Sequence, residues 1–261
     1  MPDACSTEPC DVLDWDSAFW GFPVGQVRGS TLVHEDLTGI DAWCRERSIV
    51  CLYFLASFDS PTTVRAAEEG GFHLVDVRVT LSRPSASPAS PDQPEDTVGV
   101  IVRSSELSDA APLQRIAAVS HRDTRFFFDL HFPSRKSERL YERWITESCA
   151  GYANRVLVAE YRGTPVGYVT CHLPSGTNRA GQIGLVGVAP EFRGRGVGRG
   201  LVLDALDWFA QQQVDTVTVV TQGRNIAAQA LYQRRGFITQ SQQLWYHKWF
   251  RRPEPEHSVE G

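Results

Sequence analysis

The sequence has no cysteine pattern typical of a disulfide scaffold or a zinc site. Its six cysteines form no Cys-x-x-Cys pair and have no histidines at zinc-ligand spacing. We therefore expect free thiols in a reducing compartment and no bound metal. The cysteines are Cys5, Cys10, Cys44, Cys51, Cys149 and Cys171.

Long apolar runs and a basic charge balance are also absent. No stretch approaches the ~20 apolar residues of a membrane span, and no early stretch combines the three parts of a signal peptide. The net charge of -5 argues against nucleic acid as the main partner, although a local basic pocket can still bind an anionic small molecule. We expect a cytoplasmic protein without a membrane or nucleic-acid partner.

The two common nucleotide-binding fingerprints are missing as well. No Gly-Lys-Ser or Gly-Lys-Thr triplet closes a phosphate loop of the Walker type. In the run Gly194-Arg-Gly196-Val-Gly198 the spacing of the glycines differs from the Gly-x-Gly-x-x-Gly of the dinucleotide fingerprint. The acidic residue that the fingerprint requires about 20 positions later would be Asp215, which lies in a loop-like stretch before a strand-like run. A glycine-rich turn is nevertheless present, and it needs another explanation.

That turn lies between an apolar, strand-like stretch, Ile183–Val188, and an amphipathic helix that continues through Leu201–Phe209. Its glycines leave backbone N–H groups unshielded at the helix N-terminus, where the helix dipole favours an anion. Its arginines add positive charge, so the segment predicts a pyrophosphate site. The residues concerned are Gly194, Gly196, Gly198, Gly200, Arg193, Arg195 and Arg199.

Two motifs together carry a family resemblance. The pattern Arg193-x-x-Gly196-x-Gly198 resembles the acetyl-coenzyme A loop of the GNAT family of N-acetyltransferases. The segment from Asn225 through Tyr232 to Gly236-Phe237 resembles the closing helix of the same family. Because the motifs occur in the right order, separated by a helix and a strand, the chain is identified as a member of this family.

The resemblance implies an α+β fold of mixed helices and strands, the GNAT acyl-CoA N-acyltransferase fold, with acetyl-CoA as co-substrate. It implies that backbone amides near Gly187, at an outward kink of the strand, bind the pantetheine arm and polarise the thioester carbonyl. It assigns Asn225 to the pantetheine arm and Tyr232 to protonation of the leaving thiolate, which a phenol of pKa about 10 suits. The implied cofactor-binding residues are Val186, Gly187, Val188, Arg193, Gly194, Arg195, Gly196, Val197, Gly198, Arg199 and Asn225.

The general base stays open at this point. Many members of the family carry a glutamate on the strand before the loop, but residues 182–186 of this chain offer no carboxylate. Either a water chain removes the proton or the amine binds already neutral. Glu160, His172 and Asp129 are distant alternatives, each more typical of a structural or solvated group.

A Pro- and Ser-rich stretch divides the chain into two predicted parts. Residues 84–97 have no apolar periodicity and predict a linker, and residues 251–261 predict a disordered tail. Residues 1–83 predict a small α/β domain, and residues 98–250 follow the order β-α-α-β-β-β-α-β-α-β of the acetyltransferase fold. The first part ends in strand, helix, Gly-Phe and strand, which suggests a degenerate half-copy of that fold, unless the glycine only ends a helix.

Further segments resemble a branch of the family that acetylates the ring amine of nucleotide-linked amino sugars such as dTDP-fucosamine. These are Leu13–Gly21 and Thr124–Ile145. In this interpretation the stretch from Arg122 to Pro133 forms a substrate wall, in which Arg122 and Arg125 bind the sugar-linked diphosphate. The alternatives are another amine (an aminoglycoside, a polyamine or a protein N-terminus) and a non-catalytic acyl-CoA sensor. A homodimer is compatible with the resemblance.

Overall fold

The computed structural model describes residues 8–85, 99–174 and 179–250, and these form two compact units. Unit 1 takes in residues 8–78, 128–131 and 242–250. Unit 2 takes in the described residues of 79–127 and 132–241. Each unit is therefore assembled from segments that are not consecutive in the chain.

Unit 1 combines short strands with three helices. Its strands pair in the order β1-β2-β3-β10, with β2 parallel to β3 and β10 antiparallel to β3 from Gln243↔Ser57 to Trp249↔Cys51. Side chains such as Trp43, Phe54 and Tyr246 form its buried core. The elements are β1 (Cys10–Val12), α1 (Asp14–Trp20), β2 (Val24–Val27), α2 (Asp36–Glu46), β3 (Cys51–Ser57), α3 (Pro61–Glu69) and β4 (His73–Pro84), which continues into unit 2.

Unit 2 holds the remaining elements. Its strands are neighbours in the order β4-β9-β8-β7-β6-β5; β8 is parallel to β9, whereas β7 is antiparallel to β8, β6 to β7 and β5 to β6. The last strand begins here and ends in unit 1. The elements are β5 (Val100–Ser104), α4 (Ala110–Ser120), α5 (Arg125–Phe128), α6 (Ser134–Glu147), β6 (Arg155–Tyr161), β7 (Thr164–His172), β8 (Ala180–Val188), α7 (Val197–Gln211), β9 (Thr216–Gln222), α8 (Ile226–Arg234) and β10 (Ile238–Trp249).

Helices cover both faces of the unit 2 sheet. A Cβ on Gly167 would contact Leu201 and Val197 of α7, so this position of β7 faces α7. Successive strand residues point to opposite faces, so Tyr168 faces the side on which α4 packs. The sheet thus separates α7 from the layer formed by α4 and α6.

The mixed α+β class is confirmed, and so are several predicted elements. The predicted helix at Pro61–Glu69 and the strand at Arg155–Tyr161 have the observed bounds. Helices α1 and α2 were not predicted. The linker lies outside the described residues except for Pro84 and Ser85, and the tail at 251–261 lies wholly outside them. The domain boundaries and the half-copy therefore stay predictions.

A buried carboxylate ties the segment 128–131 of unit 1 to β10. The Asp129 carboxylate accepts hydrogen bonds from His247 Nδ1 at 2.7 Å, from Trp249 Nε1 at 2.8 Å and from His131 N at 3.1 Å. The His131 ring stacks on Trp249, with centroids 4.7 Å apart. These donors hold the pKa of Asp129 well below its usual range, even though burial alone would raise it.

We predict that Asp129→Asn lowers the free energy of unfolding by about 3 kcal/mol or more at pH 7, because an amide cannot accept from all these donors. Since the folded-state pKa is depressed, the carboxylate's contribution is present above pH ~4 and is lost as the pH falls further. Urea titrations of both proteins at pH 7 and pH 3 would check this. An unfolding free-energy difference that does not shrink at pH 3 would contradict the assignment.

Candidate active site

A cavity of ≈ 1030 Å³ opens in unit 2 where β8 and β9 part. The two strands pair in parallel from Ala180↔Thr216 to Ile183↔Val219. Beyond that point, residues 184–186 and 188 of β8 and residues 220–222 of β9 line the cavity. Backbone groups that would otherwise continue the sheet therefore face a space large enough for a ligand.

An irregularity in β8 accompanies this opening. Val169 of β7 pairs with Val186, whereas Cys171 pairs with Ile183, so β8 has one extra residue between these pairs. The extra residue lies at Gly184-Leu185, where the Leu185 N–H donates to Thr170 Oγ1 at 2.8 Å. The kink expected at Gly187 thus occurs earlier in the strand.

Gly187 makes room for a neighbouring side chain. A Cβ at this position would lie 2.5 Å from Tyr168 Cε1, so only a glycine lets the tyrosine ring approach β8 this closely. Its neighbours Val186 and Val188 line the cavity, whereas Gly187 does not.

The glycine-rich turn leads directly into α7. Gly194 and Gly196 adopt positive φ angles of 72° and 78°, and Gly196 is the N-cap. The first intrahelical bond runs from Gly200 N to Gly196 O at 2.9 Å. The amides of Val197 and Gly198, in the first turn of α7, lie before the first i to i−4 bond of the helix and can point at an anion.

The cavity is electropositive. Of the residues that the structure describes, four arginines line it and no aspartate or glutamate does. Arg193 is held in place by its own hydrogen bonds, from Nε to Val188 O at 3.0 Å and from Nη2 to Val119 O at 3.2 Å. Together with the α7 amides, these charges fit a diphosphate. The arginines are Arg193, Arg199, Arg234 and Arg235.

The structure brings nearly all of the sequence-predicted cofactor residues to this cavity. Arg195 is not among the lining residues and lies over the Phe192 ring, 5.6 Å from its centroid. Asn225 lines the cavity, but its Oδ1 accepts from Ala228 N at 3.0 Å and thereby caps α8. The predicted residues that do line the cavity are Val186, Val188, Arg193, Gly194, Gly196, Val197, Gly198, Arg199, Asn225 and Tyr232.

Tyr232 is presented to the cavity by α8. Its side chain is buried, with 4% of its surface exposed, and its ring packs against Phe237. Burial raises the pKa of its hydroxyl above the usual 10, so the phenol is protonated at any physiological pH. A protonated hydroxyl at this position can donate a proton but cannot act as a base.

A second group of residues, from α4, α6 and the segment between them, lines the cavity. It comprises Ser120, His121, Thr124, Tyr141 and Trp144, and we call it the acceptor wall. Arg122 and Arg125 are not among the lining residues. Arg122 forms an ion pair with Glu138, and Arg125 lies over the Phe126 ring, 4.5 Å from its centroid.

The three distant base candidates are also engaged elsewhere. Glu160 accepts from Arg103 Nε at 2.6 Å, His172 Nε2 lies 3.1 Å from Thr170 Oγ1, and Asp129 belongs to unit 1. None of them lines the cavity. His121 lines the cavity but was not predicted, because its only signal in the sequence is its place directly after a predicted helix.

Comparison with known proteins identifies the family. The family model "Acetyltransferase (GNAT) family" matches residues 117–237, which include both cofactor motifs and the last four residues of α4. The L-2,4-diaminobutyric acid acetyltransferase of Nocardia farcinica is 30% identical over 64% of this chain and 85% of its own length. The chain belongs to the GNAT family of acetyltransferases. It is accordingly an acetyl-CoA-dependent N-acetyltransferase.

Two further relatives align with different fractions of this chain. The dTDP-fucosamine acetyltransferase of Escherichia coli O6:H1 is 26% identical over 95% of this chain and 100% of its own length. The spore coat polysaccharide biosynthesis protein SpsD of Bacillus subtilis is 27% identical over 55% of this chain. The match covers 49% of SpsD, so the chain spans about half of that relative.

Solved structures confirm the GNAT fold. A GCN5-related N-acetyltransferase from Sphaerobacter thermophilus superposes with a TM-score of 0.64 at 18% identity, over 94% of this chain and 76% of that one.

Two features are absent from the described residues, a membrane-spanning helix and a metal-binding cluster. None of their helices combines the length and the apolar composition that a membrane span requires. Within the same residues, no group of three or more His, Cys, Asp or Glu side chains is arranged to hold a metal ion.

The α7 amides yield a test of cofactor binding. We predict that Gly198→Ala lowers acetyl-CoA affinity at least ~10-fold, or ~1.4 kcal/mol, because the new methyl group lies on the cavity side of the first helical turn. The protein itself has room for it, since the nearest atom, Leu231 Cδ2, is 3.6 Å away. Alanine also favours the helix.

Gly200→Ala is the matched control, because this glycine has open space and is not a lining residue. Isothermal titration with acetyl-CoA would compare the two variants with the wild type. Equal affinities for Gly198→Ala and Gly200→Ala would contradict the assignment of the anion site.

Proposed function

We propose that the protein moves the acetyl group of acetyl-CoA to the amine of a nucleotide-linked amino sugar, a dTDP-4-amino-4,6-dideoxyhexose such as dTDP-fucosamine. The observation that carries the proposal is the charge of the cavity, which combines four arginines with no carboxylate. A nucleotide sugar brings a second diphosphate, which such a cavity stabilises. The end-to-end similarity to a relative named dTDP-fucosamine acetyltransferase points to the same acceptor.

The cavity charge also separates this acceptor from cationic ones. A polyamine or an aminoglycoside carries several positive charges, and the described cavity lining offers no carboxylate to pair with them. A small diamine is the second candidate, because the relative from Nocardia farcinica is named for diaminobutyric acid. Its carboxylate gives that substrate one group that an arginine can bind.

We assign the two ends of the cavity to the two substrates. The α7 amides with Arg193 and Arg199 hold the diphosphate of acetyl-CoA, and backbone amides of β8 near Val186 and Val188 bind the pantetheine arm. The acceptor wall offers the Trp144 and Tyr141 rings, whose centroids are 5.1 Å apart, to a pyrimidine or a sugar face. Arg122 and Arg125 lie between α4 and α6, outside the cavity lining. They can bind the diphosphate of the acceptor only if the nucleotide extends beyond the cavity.

The chemistry follows from direct attack. The acceptor nitrogen attacks the thioester carbonyl, the carbon–sulfur bond breaks, and the Tyr232 hydroxyl donates its proton to the thiolate. Because burial keeps this phenol protonated, the proton is available when the thiolate forms beside it. We place the reaction in the cytoplasm, since acetyl-CoA and nucleotide sugars are both made there.

An acceptor panel tests the proposed function. We expect thiol release from acetyl-CoA with dTDP- or UDP-4-amino-4,6-dideoxyhexoses, weaker release with 2,4-diaminobutyrate, and none with spermidine or an aminoglycoside. The cationic acceptors fail because of the cavity charge. Preferential turnover of spermidine would overturn the nucleotide-sugar proposal.

Tyr232→Phe tests the proton donor. We predict a fall in kcat of about 10²–10⁴, the usual contribution of a general acid, with little change in acetyl-CoA affinity because the ring is retained. Steady-state thiol release and isothermal titration would measure the two quantities. A phenylalanine variant with near-normal turnover would remove Tyr232 from the mechanism.

A further inference from the structure

The reaction needs a proton acceptor, and the cavity lining contains few groups that can serve. The described lining has no carboxylate, its arginines stay protonated, and burial raises the pKa of the Tyr232 phenol above its usual value. Among the described lining residues, His121 is the one side chain that is neutral at physiological pH and carries a nitrogen lone pair able to accept a proton from the amine. The conventional place for a base, on β8 before the loop, offers Gly184, Leu185 and Val186 instead.

We propose that His121 accepts the proton of the attacking amine and is thus the general base of this acetyltransferase. The proposal rests on the acetyl transfer proposed above, but not on which amine is the acceptor. His121 follows α4 directly and belongs to the acceptor wall, whereas Tyr232 lies on α8, which also carries cofactor-binding residues. The proton acceptor and the proton donor are therefore supplied by different walls of one cavity.

Two aromatic residues fix the imidazole ring. His121 Nε2 lies 2.9 Å from the Tyr168 hydroxyl, and the His121 ring stacks on Tyr141 with centroids 4.6 Å apart at 20°. Tyr168 is itself immobilised, because its ring lies against Gly187 and is fully buried. When Nε2 carries the ring hydrogen and donates it to Tyr168, the lone pair is on Nδ1 and can accept a proton.

The surroundings keep this imidazole neutral. The groups that face it are Tyr168 from β7, Tyr141 from α6 and Arg193 from the turn before α7. Burial, and next the charge of Arg193, lower the pKa of His121 to about 4. A cofactor diphosphate bound against Arg193 offsets that charge and makes the imidazole more basic than it is without cofactor.

Two proton transfers accompany the proposed acetyl transfer. As the nitrogen–carbon bond forms, the amine proton passes to the His121 lone pair, which gives an imidazolium and a tetrahedral intermediate. The carbon–sulfur bond then breaks, and the thiolate takes the Tyr232 proton. Transfer of the imidazolium proton through solvent to the tyrosinate restores both residues, so the net products are an amide and a free thiol.

Substitution with glutamine tests the base. We expect His121→Gln to lower kcat at least ~100-fold with an unchanged Michaelis constant for acetyl-CoA, because glutamine is polar but not basic. His172→Gln is the matched control, since His172 is a half-buried histidine outside the cavity lining, and it should keep wild-type turnover. Isothermal titration with acetyl-CoA establishes that each variant is folded and keeps its cofactor site.

Chemical rescue distinguishes a base from a merely structural histidine. In His121→Ala, added imidazole should restore turnover at least ~10-fold, with a dependence on the concentration of its neutral form. The same addition should not change His172→Ala. Normal turnover of His121→Gln would overturn the proposal, and so would folded, acetyl-CoA-binding His121 variants that imidazole does not rescue.

The assay uses whichever amine of the panel the wild type turns over. Failure with nucleotide sugars but turnover of another amine overturns the acceptor class and leaves the His121 test intact. No thiol release with any amine overturns both.

Discussion

The parting of β8 and β9 beyond Ile183 and Val219 is the constraint on which the site depends. Two parallel strands that stayed paired would bury their backbone groups in the sheet and leave no space between them. The extra residue at Gly184-Leu185 accompanies the departure of β8 from this pairing, and Thr170 takes the Leu185 amide that the irregular ladder displaces. The cavity is thus created by backbone geometry, and the side chains then determine its chemistry.

The net charge of the chain and the charge of the residues that line the cavity have opposite signs. The chain carries a net charge of -5, whereas the cavity lining holds four arginines and no acidic side chain. The overall balance is therefore a poor guide to the substrate, because only the charges close to the ligand act on it strongly. The local excess favours two anionic substrates, a coenzyme and a nucleotide sugar, over a cationic acceptor.

The donor half of the site was predictable because its signals are local in sequence. Gly196 and Gly198 occur within one turn, and Asn225 and Tyr232 lie at the N-cap and within one helix, so two short motifs were enough to carry the family resemblance. His121 was not predictable, because its partner Tyr168 is 47 residues away and no motif joins them. Arg125 stays a predicted diphosphate ligand, since its guanidinium lies over the ring of its sequence neighbour Phe126 and it is not among the lining residues. Helix α2 was not predicted, although Leu37, Ile40, Trp43 and Cys44 recur at helical spacing and form its buried face.

The path of β10 has a consequence for any attempt to divide the protein. Residues Gln243–Trp249 complete the sheet of unit 1 by pairing with β3, although the strand begins in unit 2. A fragment that starts after residue 98 would carry seven strand residues without their β3 partner, including the apolar Leu244 and Tyr246. Such an edge attracts other chains and promotes aggregation. The part of the chain that bears the cavity is therefore not a portable module, and gene fusions or truncations should keep the N-terminal segment with it.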